Sequence, residues 1–216
     1  MKTLNRYSFA LVGPVQSGKS SIFDSLTTQK PSSVYSLTTT DRYDTAQFES
    51  DNTIIQIEIL DTPGVSVKES IQRALFATMS CLCLTIDVSS KKFETETDDT
   101  LWCLGDVLRK SSAKSYSSTT MSSVSEGEEM KFGIPVLFIG THADIAQKEN
   151  IDKFQKKIKE FGLSCLLCDA VNVESVTDLF DEILDLKFVR PQKTETFVVQ
   201  NSKVKKQKKA KNCVIV

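Results

Sequence analysis

The chain has 216 residues, 40% of them hydrophobic, with 27 basic and 28 acidic side chains for a net charge of −1. Those figures suit one medium-sized domain with a real core, plus a tail. No apolar run approaches the length of a membrane span and the N-terminus lacks a signal-peptide core, which excludes an integral membrane helix and points to synthesis in the cytosol with the six cysteines as thiols.

Strand-like and helix-like segments alternate along the chain. Tyr7–Val12 is an apolar run ending at a glycine, and Lys19–Leu26 reads as a helix. Tyr43–Ser50 and Thr53–Leu60 read as a strand pair around Asp51-Asn52, the second with Ile55, Ile57 and Ile59 on one face and Gln56 and Glu58 on the other. Ile71, Leu75, Phe76 and Met79 recur at helical spacing. Then come a buried strand at Cys81–Val88, a helix at Phe93–Leu108, a buried strand at Ile134–Gly140, a charged amphipathic helix at Asn150–Phe161 and a strand at Leu163–Cys168. Val173, Val176, Leu179, Phe180, Ile183 and Leu184 give a last helix its apolar stripe. This alternation predicts an α/β fold: a mostly parallel six-stranded sheet with one antiparallel edge strand and helices on both faces.

One stretch departs from the pattern. Residues 111–130 are rich in Ser and Thr and end among Glu126, Glu128 and Glu129, which reads as a disordered insertion inside a domain spanning 1–188. Ligands of open α/β sheets bind at the carboxyl ends of the strands, so the insertion belongs on the opposite end. It suits a phosphorylation loop or a neutral spacer. The cysteine pairs Cys81/Cys83 and Cys165/Cys168 allow a zinc site, but both lie in strand-like runs without ligand loops, which favours small buried hydrophobes.

The chemistry is concentrated in Gly13, Pro14, Val15, Gln16, Ser17, Gly18, Lys19 and Ser20, a Gly-x4-Gly-Lys-Ser loop between a strand and a helix. Glycines let the backbone approach phosphates, and the loop amides and helix N-terminus present partial positive charge. Lys19 adds a full charge, Ser20 offers a hydroxyl to Mg²⁺, and Ser21 follows on the first turn. The loop belongs to P-loop NTPases generally and does not name the base. Asp61-Thr62-Pro63-Gly64 closes the second strand of the hairpin, where the aspartate can hold a Mg²⁺ shell and Gly64 can offer its amide to a γ-phosphate.

With Ile59-Leu60 in front, this segment resembles the Asp-x-x-Gly motif of the Ras superfamily of small GTPases, and the resemblance runs from Tyr7 to about residue 186. It implies a small G domain that binds GTP or GDP with Mg²⁺ and hydrolyses GTP. Residue by residue, it implies that Lys19, Thr38 and Gly64 contact the γ-phosphate in catalysis, and that Ser20, Thr38 and Asp61 surround the metal. Thr39 and Thr40 adjoin Thr38, and spacing alone selects it. Tyr35 matches the loop tyrosine before that threonine. Thr141-His142-Ala143-Asp144 resembles the base-reading motif, with the Asp144 carboxylate accepting from guanine, and Asp169, Ala170 and Val171 lie where the family's last base-contacting loop falls. Effectors and exchange factors are implied at residues near 34–45 and 61–78.

The chain departs from that family at positions that matter. Val65 stands where active relatives have the glutamine that orients water, and valine offers no hydrogen bond. Val15 crowds the place where an activating arginine would enter. Together they predict slow hydrolysis or, as an alternative, an inactive pseudo-GTPase that serves as a binding module. Thr141, His142, Pro31 and Val171 replace residues that pack on or cover the base, which predicts weaker nucleotide binding, each loss costing about 1 kcal/mol. An ATP-dependent kinase would need an aromatic lid or acceptor site that the sequence does not offer.

From residue 189 the chain reads as a flexible tail. Lys203, Lys205, Lys206, Lys208, Lys209 and Lys211 precede Cys213-Val214-Ile215-Val216, which fits a prenylation box with Cys213 as the lipidated residue. One lipid anchors only marginally, and the lysines supply a second signal toward an anionic surface. The expected address is the cytoplasmic face of a membrane, the plasma membrane first, with no nucleic-acid partner. A lysine run also suits a nuclear address, but its place before the box favours the membrane.

Overall fold

In the middle of the sheet, β1 (Lys2–Val12) alternates its side chains between two cores: Phe9 and Leu11 enter one, Ala10 and Val12 the other. The structure, a computed structural model, describes residues 2–31, 36–49, 52–77, 79–115 and 134–197. The strands β2 (Arg42–Glu49), β3 (Thr53–Asp61), β4 (Cys81–Asp87), β5 (Val136–Thr141) and β6 (Ser164–Leu167) order themselves with β1 as β2-β3-β1-β4-β5-β6. The β2/β3 pair is antiparallel; β3, β4, β5 and β6 join in parallel. Helices α1 (Lys19–Thr27), α2 (Val67–Phe76), α3 (Phe93–Ser115), α4 (Lys148–Glu160) and α5 (Val173–Asp185) connect them. Ile22 and Leu26 of α1 pack with Val176, Phe180 and Ile183 of α5 on one face, where Phe9 and Phe180 meet edge to face with ring centroids 5.4 Å apart. Ile71 of α2, Leu104 of α3, and Phe154 and Ile158 of α4 fill the other. The fold is therefore the expected α/β sheet with helices on both faces.

Three differences from the sequence reading have physical causes. A seventh strand, β7 (Lys193–Phe197), joins the expected six by pairing antiparallel with Lys2–Arg6 of β1. Its sequence Lys-Thr-Glu-Thr-Phe lacks apolar alternation, because it extends the sheet below the start of β4, where neither face is core. For the same reason β1 begins at Lys2 and not Tyr7: Lys2–Arg6 are only partly buried. Helix α3 continues to Ser115, five residues into the segment read as disordered. The remainder of that insertion lies outside the described residues, as do Tyr35, Asp51, the polybasic run and Cys213.

The cysteine pairs resolve into packing. Cys81 and Cys83 are buried in the α1/α5 core, while Cys165 and Cys168 turn to opposite cores. Burial pushes the Cys168 thiol up to about 12, so it stays protonated and behaves as a small hydrophobe.

Candidate functional site

The carboxyl ends of β1 and β3 and the start of α1 converge on one pocket of about 420 Å³. Chain geometry there is tight. A Cβ on Gly13 would lie 2.2 Å from the Thr85 carbonyl oxygen, and one on Gly64 would lie 2.6 Å from the Val15 nitrogen. Gly18 caps α1 at φ +80 and makes no side-chain cap, so first-turn amides keep their donor capacity. Gln16 also takes a left-handed conformation, φ 65. The turn is braced from behind: Ser17 Oγ pairs with Thr85 Oγ1 of β4 at 2.8 Å, and the Ser17 amide donates to the Pro14 carbonyl at 3.3 Å. This arrangement is an anion cradle of the kind the motif calls for.

Lys19 lies folded over the loop, only 5% exposed, and its Nζ donates to the Pro14 carbonyl at 2.6 Å and to Ser17 Oγ at 3.3 Å. Burial lowers its pKa to about 8, against the opposing pull of Asp61 and Glu96. A phosphate arriving in the cradle would supply the counter-charge that this buried ammonium has only in part.

Beside the lysine, three of the expected positions meet. Ser20 Oγ lies 2.8 Å from Thr38 Oγ1 and donates to Asp61 Oδ2, also at 2.8 Å. Thr38 is the threonine that reaches inward; Thr39 and Thr40 are exposed. Asp61 is fully buried, its Oδ1 has no hydrogen-bond partner among the described residues, and burial raises its pKa despite the Ser20 bond and the nearby Arg42 and Lys19. An unpartnered buried carboxylate oxygen beside two hydroxyls is an all-oxygen donor set that fits a hard divalent cation such as Mg²⁺. Among the departures, Val15 lines the pocket, whereas Val65 is 72% exposed and stands outside its wall.

The side expected to read the base is built differently. Thr141, at the end of β5, is buried and donates to the Ser17 carbonyl at 3.1 Å and to the Ile86 carbonyl at 3.2 Å. Its hydroxyl therefore ties this loop to the phosphate loop. His142 takes φ 56 and sets Nδ1 3.3 Å from Asp87 Oδ1. The hydrogen bond with Asp87 raises the His142 pKa against burial, while burial of Asp87 is outweighed by its bonds from His142 and Ser89, so that carboxyl falls below its ordinary value. The loop after β6 docks alongside: the Ala143 amide donates to the Cys168 carbonyl at 3.5 Å, Ser25 Oγ of α1 donates to the Ala170 carbonyl at 2.9 Å, and Asp169 Oδ1 accepts from the Val171 amide at 3.1 Å. Asn172 caps α5 directly after it, accepting from Glu174 and Ser175. His142 lines the pocket; Asp144, Asp169, Ala170 and Val171 lie beyond its wall, with Asp144 exposed and Val171 51% exposed.

Four residues at the site escape sequence reasoning: Thr85, Asp87, Asp24 and Arg42. Thr85 carries a faint signal as the polar residue within the apolar run of β4. Asp24 and Arg42 carry none, since α1 and β2 bring them together across 18 residues.

A protein-family model described as 50S ribosome-binding GTPase matches residues 8–116, slightly more than half of the chain. That stretch contains the phosphate loop, Thr38 and Asp61–Gly64, and stops before the base-reading loops. No curated protein matches the chain.

Proposed function

The chain belongs to the family of P-loop GTPases whose model covers residues 8–116, and on that footing we propose that it is a slow guanine-nucleotide switch tethered to a membrane. A GTP-binding GTPase domain is the family's property; the switch, the tether and the signalling role go beyond it. Its main support is the meeting of Ser20, Thr38 and Asp61 around an unpartnered carboxylate oxygen, at the lip of the lysine cradle. In this reading Lys19 and the loop amides hold the β- and γ-phosphates, Ser20, Thr38 and Asp61 hold Mg²⁺, and Thr38 and Gly64 sense the γ-phosphate. When bound, Mg²⁺ would offset charge on the phosphate oxygens. His142 and Asp144, with the loop at Asp169–Val171, face the guanine.

Slow turnover follows from Val65, whose side chain can orient no water, and from Val15 at the pocket wall. The exposed Leu37, Tyr43 and Val65 mark the two segments, near residues 34–45 and 61–78, on which effectors and exchange factors would read the nucleotide state. Cys213 and the six lysines before it supply the tether to an anionic cytoplasmic leaflet, the plasma membrane first. Among the described residues no helix is long and apolar enough to cross a membrane.

Nucleotide extracted from purified protein and single-turnover hydrolysis of GTP test the switch. Bound guanine nucleotide, slow phosphate release and acceleration in Val65→Gln are expected; hydrolysis at the rate of active small GTPases would refute slow turnover. Phosphate release that stays at zero, Val65→Gln included, would instead make the protein a pseudo-GTPase binding module. Membrane fractionation of Cys213→Ser tests the tether separately, with release to the soluble fraction expected.

A further inference from the structure

Arg42 opens β2 and stands directly across the antiparallel ladder from Asp61, the last residue of β3. Facing residues of such a ladder project to the same side, so the register itself delivers a guanidinium to the metal-side carboxylate. Nη1 lies 3.7 Å from Asp61 Oδ2. Two further contacts hold it there: Nη2 donates to Asp24 of α1, and the guanidinium lies over the Phe23 ring, 4.3 Å from its centroid. Three elements thus fix one cation on the pocket wall, and the nucleotide reading above gives it no task.

Its neighbour explains what it does. Asp61 is fully buried, with Oδ2 engaged by Ser20 and Arg42 and Oδ1 without a partner among the described residues. A buried carboxylate without a counter-charge is costly, and an incoming triphosphate would add repulsion. A divalent cation at Oδ1 relieves both. A guanidinium at Oδ2 relieves part of both without any metal, and it repels a metal that arrives at the other oxygen.

We propose that Arg42 is a built-in counter-cation for the metal-binding carboxylate, which makes nucleotide binding less dependent on Mg²⁺ and weakens the metal site. This deepens the guanine-nucleotide reading and rests on it. Asp24 holds the guanidinium between two carboxylates, so that a bound metal can displace it toward α1.

The test measures affinity for a fluorescent guanosine diphosphate in full-length protein, in millimolar Mg²⁺ and in excess chelator, for wild type, Arg42→Gln and Arg42→Lys. Chelation should weaken Arg42→Gln about tenfold more than wild type, roughly 1.4 kcal/mol, while in Mg²⁺ Arg42→Gln binds as tightly as wild type or tighter. Arg42→Lys keeps the charge and should track wild type. Mn²⁺ binding to the nucleotide complex, read by electron paramagnetic resonance, should tighten in Arg42→Gln. Equal chelation penalties in all three proteins, or an equal loss in both conditions for Arg42→Gln, would overturn the inference and leave the nucleotide reading standing. Wild type that takes up no guanine nucleotide in either condition defeats that reading and this inference together. If Arg42→Gln does not fold, Asp24→Asn replaces it: untied from α1, Arg42 should shrink the chelation penalty and weaken Mn²⁺ binding, and unchanged values overturn the claim.

Discussion

The phosphate half of the site and the half proposed to read the base are made to different standards. In the first, Lys19, Ser17, Ser20, Thr38 and Asp61 bond to one another or to the loop, and glycine is required by contact at Gly13 and Gly64. In the second, Thr141 turns its hydroxyl inward to the phosphate loop, His142 pairs with Asp87, and Asp144 and Val171 lie exposed beyond the wall. The matched family model spans the first half and stops short of the second. Phosphates are common to all nucleotides and demand one close-fitting geometry. A base can be read by a few edge contacts on loops, and loops tolerate change.

The sharpest way to break this contrast is Lys19→Ala. A charge-assisted bond is worth about 1.5–3 kcal/mol, so guanine-nucleotide affinity should fall by about 100-fold in calorimetry, with GTP and ATP affected alike. A loss confined to GTP would mean that Lys19 reads the base. Gly13→Ala comes next. Its new methyl would collide with the Thr85 carbonyl, and overpacking of this kind costs about 1–3 kcal/mol, visible as a lower melting temperature together with weaker nucleotide binding; a variant that melts and binds like wild type would show that the loop yields freely.

Asp144→Ala probes the other half. Loss of the proposed guanine contact should reduce the preference for GTP over ATP by about tenfold, while affinity for inorganic triphosphate stays put; an unchanged preference would remove Asp144 from base reading. The smallest effect is Asp87→Asn. His142 has a raised pKa, so its pairing contributes stability in full below the ordinary histidine value of about 6.5 and loses it as pH rises through the raised value. Asp87 is lowered, so its share is present above the ordinary carboxylate value of about 3.9 and is lost as pH falls through the lowered one. The unfolding free energies of wild type and Asp87→Asn, read from denaturation at each pH, should therefore differ most between those ordinary values, by about 1 kcal/mol or less for a part-exposed pair, and the gap should narrow toward alkaline pH. A gap that is constant with pH would rule the pairing out as its source.

Much of this was legible in the chain. The Gly13–Ser20 loop between a strand and a helix carries its own meaning, because spacing along a backbone is what cradles a phosphate. The Asp61-Thr62-Pro63-Gly64 segment follows a strand of clean alternation, and the parallel sheet follows from alternating periodicities. Less legible were polar segments whose role depends on a partner. Lys193–Phe197 shows no core-facing pattern and forms β7 because the lower half of β1 needs an edge partner.

Sequence alone determined the order of elements from Tyr7 through the last helix and the residue types that converge on a nucleoside triphosphate, since period and motif are local properties of the chain. Tertiary structure decided which of three adjacent threonines turns inward, that Thr85 and Thr141 brace the phosphate loop from β4 and β5, and that Asp24, Arg42 and Asp61 form one charged line beside the proposed metal position. Those relations depend on strand register and helix packing between residues far apart in the chain, and no local pattern encodes a distance of that kind.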